Sequence, residues 1–156
     1  MKTLLMFGLL LLVSVFAGDM KEIAAENMTD PVYQLPIEKY PRFSTELILK
    51  NGTGISFVSV KAMMNFYFHP EKYPDYAVND RSEIDKMYVR DYVDGTRVDA
   101  REAWYVFGSR IAGPHGDDLI PLSSKTKAEL FIKRYGGSRI MDADALTFGL
   151  IRYLDM

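Results

Sequence analysis

Hydrophobic and polar positions divide residues 43–93 into a hairpin, a helix and a third strand. Polar and apolar side chains alternate over 43–50, which is typical of a half-buried strand, and Asn51-Gly52 signals a hairpin turn before a second strand at 55–58. A helix follows, with Ser59 suited to cap it and Pro70 to stop it. Its inward stripe is predicted to be Val60, Met63, Met64, Tyr67 and Phe68. Residues 70–85 are polar and turn-rich, and 87–93 predict the third strand.

The second half repeats this order of elements. Strands are predicted at 103–107 and 119–122 around a glycine-rich loop, 108–118, and a short strand at 139–141. Between them lies a helix capped by Ser123 or Ser124 and ended by Gly136-Gly137. Its predicted inward residues are Ala128, Phe131, Ile132 and Tyr135, with Lys127 on the opposite face. A last helix is predicted over about 143–154, with Leu146, Leu150, Ile151 and Leu154 inward.

These elements predict an α+β fold with two small ββαβ units in tandem and a C-terminal helix. The first unit covers 32–93, and the second unit with the final helix covers 94–156. The two halves share the order of their elements and almost no sequence identity. A chain of this size can bury a sizeable core without a disulfide.

The N-terminus has the pattern of a secretory signal peptide. A basic start at Lys2 precedes an apolar run from Leu4 to Ala17, which is short for a membrane span, and small residues favour cleavage after Ala17. Residues 1–17 are therefore predicted to be a signal peptide and 18–31 a linker. The alternative is an uncleaved anchor, although no cluster of positive charge follows the run.

Composition excludes several classes of protein. The chain has no cysteine, which rules out disulfides, zinc ribbons, iron–sulfur clusters and cysteine nucleophiles. A net charge of −2 without a run of basic residues argues against nucleic-acid binding. The sequence has no catalytic triad order, phosphate-binding loop or calcium loop, so no enzyme is predicted.

A few side chains are candidates for binding chemistry. His115 lies between glycines on the loop before the 119–122 strand, where it is either a ligand or simply exposed. His69 ends a helix, where a cationic imidazole is favoured, and a solvated cap is the preferred interpretation. Met63 and Met64 are soft donors for copper(I), but their helical stripe favours core packing. Met20 and Met28 lie in the linker and could close over a metal.

Three charged residues precede the 103–107 strand and admit two interpretations. Asp99, Arg101 and Glu102 could supply a catalytic dyad. A hydrogen-bonded turn containing an Asp–Arg pair is the preferred interpretation.

A series of distinctive short segments follows in order over most of residues 30–141. They are Lys39-Tyr40-Pro41, Val60-Lys61-x-Met63, Tyr67-Phe68-His69-Pro70-Glu71-Lys72-Tyr73, Met87-Tyr88-Val89-Arg90-Asp91-Tyr92, Asp99-Ala100-Arg101-Glu102-Ala103-Trp104-Tyr105-Val106-Phe107-Gly108-Ser109, Gly113-Pro114 and Leu119-Ile120-Pro121. Together these segments resemble the NosL family, the accessory lipoproteins of nitrous oxide reductase. The resemblance implies paired ββαβ units, a periplasmic location and delivery of copper(I) to the copper–sulfide cluster of the reductase.

The sequence departs from the family at every usual sulfur ligand. The family's Cys-x-x-Cys-Gly-Met is replaced by Asp30-Pro31-Val32-Tyr33-Gln34-Leu35, and its Gly-Pro-Met-Gly-His by Gly113-Pro114-His115-Gly116-Asp117. Asp19 stands where the lipid-bearing cysteine would be, so a lipid anchor is excluded. Imidazole and carboxylate suit Cu(II) or Zn(II) better than Cu(I).

The resulting expectation is a periplasmic protein that handles copper for the maturation of nitrous oxide reductase. The predicted metal ligands are His115 and Asp117, with Met28 as a further candidate. The expected partners are the reductase or its assembly machinery and a copper-donor protein. The alternative is a metal-free periplasmic docking module that retains the scaffold.

Overall fold

The computed structural model describes residues 27–156, in which two antiparallel sheets are each covered by a helix. The predicted signal peptide, most of the linker and Met20 lie outside the described residues. The first sheet has the strand order β2-β1-β3-β4. Its strands are β1 (Thr45–Leu49), β2 (Gly54–Phe57), β3 (Ile84–Arg90) and β4 (Arg97–Asp99).

Helix α1 (Val60–Phe68) begins where the sequence predicts, but its buried face differs. The Ser59 side chain accepts a hydrogen bond from the Ala62 backbone N–H, as expected of a cap. Phe66 is fully buried, whereas Tyr67 and Phe68 of the predicted stripe are only half-buried. Short 3₁₀ helices in the 70–83 segment fold back over this helix. They place Tyr73 and Tyr76 against Phe66, at ring-centroid distances of 5.1 and 5.8 Å, and so bury a side of α1 that periodicity alone leaves exposed.

The second sheet has the strand order β6-β5-β7, and its helix packs on one face. Its strands are β5 (Trp104–Phe107), β6 (Ile120–Leu122) and β7 (Arg139–Met141). Helix α2 (Lys125–Tyr135) is capped by Ser124, whose side chain accepts from the Lys127 N–H. Ala128 and Phe131 are buried as predicted, but Lys127 does not lie on a free outer face. Its ammonium contacts the carboxylates of Asp91 and Asp94, at 3.1 and 2.5 Å.

The predicted C-terminal helix is broken in two. A 3₁₀ turn covers Ala143–Ala145, and helix α3 (Phe148–Leu154) starts separately, with the Thr147 side chain accepting from the Leu150 N–H. The predicted helix is interrupted at Thr147, whose backbone is extended and whose side chain caps the first turn of α3. Leu146, Ile151 and Leu154 are buried as predicted, and Leu150 is half-buried.

The predicted α+β class with two tandem ββαβ arrangements is confirmed. The sequence pattern does not reveal strand β4, because only Val98 of its three residues is apolar; the strand pairs with the 88–90 end of β3. It belongs to the first sheet although it follows residue 93, and the division of the chain into units at that residue stays a prediction. One large cluster of buried side chains draws on both sheets and on α1 and α3. In the described part of the chain, no helix has the length and apolarity to cross a bilayer.

Candidate functional site

The loop that carries His115 is a tight turn set against the start of α1. The Gly113 N–H donates to the Gly116 carbonyl at 2.7 Å, and Gly116 has a φ of +79°, which favours glycine. A Cβ on Gly113 would lie 2.6 Å from the Cβ of Asp118, so this glycine permits a close approach of the two ends of the loop. His115 and Asp117 are exposed at its tip.

Asp118 holds the base of this loop onto α1. Its Oδ1 accepts hydrogen bonds from the backbone N–H groups of Lys61, at 3.0 Å, and Leu119, at 2.8 Å. The carboxyl is buried, and its Oδ2 has no hydrogen-bond partner among residues 27–156. Burial raises the pKa of Asp118 to about 6, against the opposing effect of these hydrogen bonds.

The imidazole of His115 stacks on the ring of Tyr33. Their centroids are 4.1 Å apart and the planes are inclined by only 9°. The Tyr33 hydroxyl donates to Asp155 Oδ1 at 2.6 Å and accepts from the side-chain amide of Asn65 at 3.0 Å. Burial, followed by the hydrogen bond to Asp155, raises the pKa of Tyr33 well above its ordinary value, so the phenol keeps its proton. One face of the imidazole is thereby covered by a fixed aromatic ring.

Lys61 is a buried cation beneath the same loop. Its side chain is 1% exposed, and its ammonium donates to the carbonyls of His115, at 2.6 Å, and Leu154, at 3.1 Å. It also pairs with Asp155 Oδ1 at 3.3 Å. Burial tends to raise the pKa of Asp155, but hydrogen bonds from Tyr33, Asn65 and Lys61 outweigh it and hold that pKa below the ordinary value. Lys61 thus joins the His115 loop to the end of α3.

Asp30 and Gln34 stand at two positions of the family's Cys-x-x-Cys-Gly-Met segment. Asp30 is buried, and its carboxylate accepts backbone N–H groups from Val32, Tyr33 and Val58 at 2.6–3.1 Å. Burial nevertheless raises its pKa. Gln34, at the motif's glycine position, has a φ of +56°, a left-handed conformation that glycine adopts without strain. The segment forms a turn in this chain, and the side chain at its first position accepts internal hydrogen bonds.

Of the three predicted ligands, His115 and Asp117 lie on one loop and Met28 lies on a separate segment. His115 stacks on Tyr33, and Asp117, two residues further on, is exposed at the tip of the same loop. Met28 is 71% exposed on the segment that leads to Asp30. Across residues 27–156, the structure contains no cluster of three or more His, Cys, Asp or Glu side chains suited to a metal.

The other candidate residues of the sequence have structural roles. His69 ends α1, and its Nδ1 lies 3.0 Å from Glu71 Oε1. Met63 and Met64 are buried in the core. Asp99 accepts from the Arg101 backbone N–H at 2.8 Å, which agrees with the predicted turn, although its partner is this backbone group and not the guanidinium.

Sequence reasoning missed the polar network of the site, in which Lys61 and Asp118 are buried, Tyr33 is half-buried and Asp155 is exposed. Periodicity places Lys61 next to the inward stripe of α1, where a charged side chain suggests solvent. It is buried because the 113–118 loop and the end of α3 cover the first turn of α1. One indication was present in the sequence, because Lys61 is part of the Val60-Lys61-x-Met63 motif that resembles the family.

Comparisons with known proteins agree with this architecture. The family model described as NosL matches residues 21–151. The chain is similar to the crystal structure of the copper chaperone NosL from Shewanella denitrificans, with 26% identity, a TM-score of 0.65, and coverage of 81% of this chain and 94% of that chain. It is also similar to the solution structure of the apo-NosL protein from Achromobacter cycloclastes, at 22% identity and a TM-score of 0.48, covering 69% of this chain and 87% of that one. No curated protein matches the sequence. Because the family model spans most of the chain, and the Shewanella structure shares the fold, this protein belongs to the NosL family.

Proposed function

We propose that this protein is an exported accessory factor that handles copper for the maturation of nitrous oxide reductase. One observation carries the proposal: the two segments that resemble the family's ligand segments lie against each other, with His115 stacked 4.1 Å from Tyr33. The 26% identical Shewanella protein, which covers 81% of this chain, is a copper chaperone. We assign no catalytic residue.

Copper in this proposal is a cargo held by few donors. His115 provides an exposed imidazole, Asp117 a nearby exposed carboxylate, and Met28 a thioether on the neighbouring segment. Nitrogen and oxygen donors favour Cu(II) or Zn(II) over Cu(I), so binding to this set is expected to be weaker for Cu(I) than in a thiolate site. The carboxylate of Asp30 is not counted as a donor, since both its oxygens accept backbone hydrogen bonds.

The proposed location is the periplasm, and the proposed partners are the reductase or its assembly machinery and a copper-donor protein. The apolar run from Leu4 to Ala17 supports export, and Asp19 at the position of the lipid-bearing cysteine excludes an acyl anchor there. A partner that supplies the missing sulfur donors would complete the coordination of a transferred ion.

A metal-free docking module is the second candidate function. The observation that favours it is the engagement of the residues at both cysteine positions in internal bonds. Asp30 accepts three backbone N–H groups, and the Tyr33 hydroxyl bonds to Asp155 and Asn65. On this view the former ligand segment has become part of the scaffold.

Isothermal titration of the mature protein with Cu(I), Cu(II) and Zn(II) tests the proposal. We expect His115→Ala to weaken binding at least tenfold, because it removes the only exposed nitrogen donor of the loop. His69→Ala is the matched control, since it removes the other histidine of the chain, and it should bind as wild type does. If His115→Ala binds as tightly as wild type, His115 is not a ligand, and Met20 and Met28 become the next candidates. If wild type binds none of the three ions, the docking module replaces the copper function.

A further inference from the structure

A groove of about 460 Å³ lies away from the His115 loop, between the C-terminal half of α1 and the segment that leads into α3. Its walls include the rings of Tyr67, Phe68 and Phe148, and its floor includes the buried side chains of Met64 and Met87. This volume lies within the range of protein sites that accept a small ligand or a few side chains of a partner.

The aromatic wall of the groove is continuous. The ring centroids of Tyr67 and Phe68 are 5.3 Å apart, and those of Phe68 and Phe148 are 5.8 Å apart. All three side chains are half-buried, so each keeps part of its surface open to a ligand. Tyr67 and Phe68 were predicted to face the core from α1. In the structure they line the groove instead.

Arginines surround this apolar wall without ionic partners. The guanidinium carbon of Arg81 lies 5.4 Å from the Tyr67 ring centroid and 5.9 Å from that of Phe68, and Arg152 lies 5.9 Å from that of Phe148. Arg101 also lines the groove. Within residues 27–156, none of these three arginines forms a salt bridge. Asp144 is the one carboxylate among the lining residues of the described chain. The lining of the groove thus carries two arginines, Arg81 and Arg101, against one carboxylate, on a chain whose net charge is −2.

We propose that this groove docks an acidic peptide segment of a partner protein, one that carries an aromatic or aliphatic side chain between its carboxylates. The apolar side chain would pack on the Tyr67, Phe68 and Phe148 rings, and the carboxylates would pair with Arg81 and Arg101. Arginine and aromatic residues are among those that contribute most to the binding free energy of protein interfaces. A guanidinium can also bind a carboxylate through two parallel hydrogen bonds. The docking does not depend on metal binding at His115.

Fluorescence anisotropy with a labelled synthetic peptide, Asp-Glu-Phe-Asp-Glu-Leu-Asp, tests this docking in the metal-free mature protein. We expect saturable binding that weakens as salt rises, because the pairs are exposed to solvent. The double variant Arg81→Glu/Arg101→Glu should lose at least tenfold in affinity. Lys133→Glu, which makes the same change of charge per site on the exposed side of α2, should lose less than twofold.

Two further peptides separate the apolar contribution from charge alone. A peptide with glycine in place of Phe and Leu should bind at least fivefold more weakly, and one with lysine in place of every acidic residue should not bind. Backbone amide shifts in NMR spectra of the wild type should change at Tyr67, Phe68, Arg81 and Phe148. Absence of saturable binding, equal losses in Lys133→Glu and the arginine variant, or equal binding of the glycine peptide would each overturn the proposal. Because the assay contains no metal, its outcome does not test the copper proposal, which is tested separately by the metal titration.

Discussion

At the scale of single residues, Asp118 shows how a buried carboxyl holds the loop of the site. One of its oxygens ties the backbone of Lys61 and Leu119 together, and the other has no partner among the described residues. Burial of this carboxyl disfavours its charged form and raises its pKa from 3.8 to about 6, although hydrogen bonds to it act in the opposite direction. The folded state therefore binds a proton here more tightly than the unfolded state does.

This raised pKa predicts a pH dependence of stability. Because the folded pKa exceeds the unfolded one, the contribution of Asp118 is most favourable below about pH 4 and is lost as pH rises to about 6. A pKa that rises from 3.8 to about 6 on folding corresponds to about 3 kcal/mol of unfolding free energy. In Asp118→Asn, which cannot ionise, this contribution is absent. Urea unfolding of both proteins from pH 4 to pH 7 should show the variant gaining stability relative to wild type as pH rises. Parallel curves would contradict the assignment.

Gln34 is a second residue whose surroundings explain its unusual backbone conformation. Its φ of +56° is a conformation in which a Cβ is crowded, at a cost of about 1–2 kcal/mol. The turn persists because the Asp30 carboxylate bonds to the N–H groups of Val32 and Tyr33, and the Gln34 N–H donates to the Asp30 carbonyl at 3.1 Å. These hydrogen bonds therefore hold Gln34 in a strained backbone conformation.

At the scale of elements, α2 shows which part of a helical pattern predicts burial. Phe131 is 2% exposed and lies in a cluster with Val106, Ile120 and Leu122 of the second sheet. Lys127, however, is held at the edge of this packed face by Asp91 and Asp94. A helical wheel finds the centre of the buried stripe, whereas the residues at its margin depend on what a neighbouring element offers.

Truncation of the α2 core residue should be costly. Phe131→Ala is expected to lower the unfolding free energy by about 3–5 kcal/mol, because it leaves a cavity between the helix and the sheet. Lys133→Ala is the control on the exposed face and should change stability by less than about 0.5 kcal/mol. Chemical denaturation of both variants measures the difference. Equal effects would mean that α2 does not pack on the sheet through Phe131.

At the scale of the whole molecule, the two sheets share one core and are linked by polar contacts. Residues from both sheets, including Leu47 and Tyr105, belong to a single buried cluster. After β3, the Tyr92 N–H donates to the Pro121 carbonyl at 2.9 Å, and buried Asp91 accepts from the backbone and hydroxyl of Ser123. Burial tends to raise the pKa of Asp91, but the hydrogen bonds from Ser123 and Lys127 lower it overall. The end of β3 is thereby fastened to the start of α2.

Export makes a prediction for the N-terminus of the protein. If residues 1–17 are a cleaved signal peptide, the exported product should begin at Gly18 and carry no acyl chain, because Asp19 has no thiol to modify. The intact mass of the protein recovered from the periplasm measures this directly. A mass that still includes residues 1–17 would support the uncleaved anchor instead.

The local elements and the family follow from the sequence alone. Strands and helices with strong periodicity, such as β1 and α2, arise from short-range hydrophobic patterns and caps, and the NosL motifs occur in order along the chain. Which polar residues meet depends instead on the tertiary structure. Lys61, Tyr33 and Asp155 are separated by up to 122 positions, and they form one network only because the 113–118 loop and α3 close over the start of α1. No local pattern encodes such a meeting, since burial of a charge is set by what packs around it and not by its neighbours in sequence.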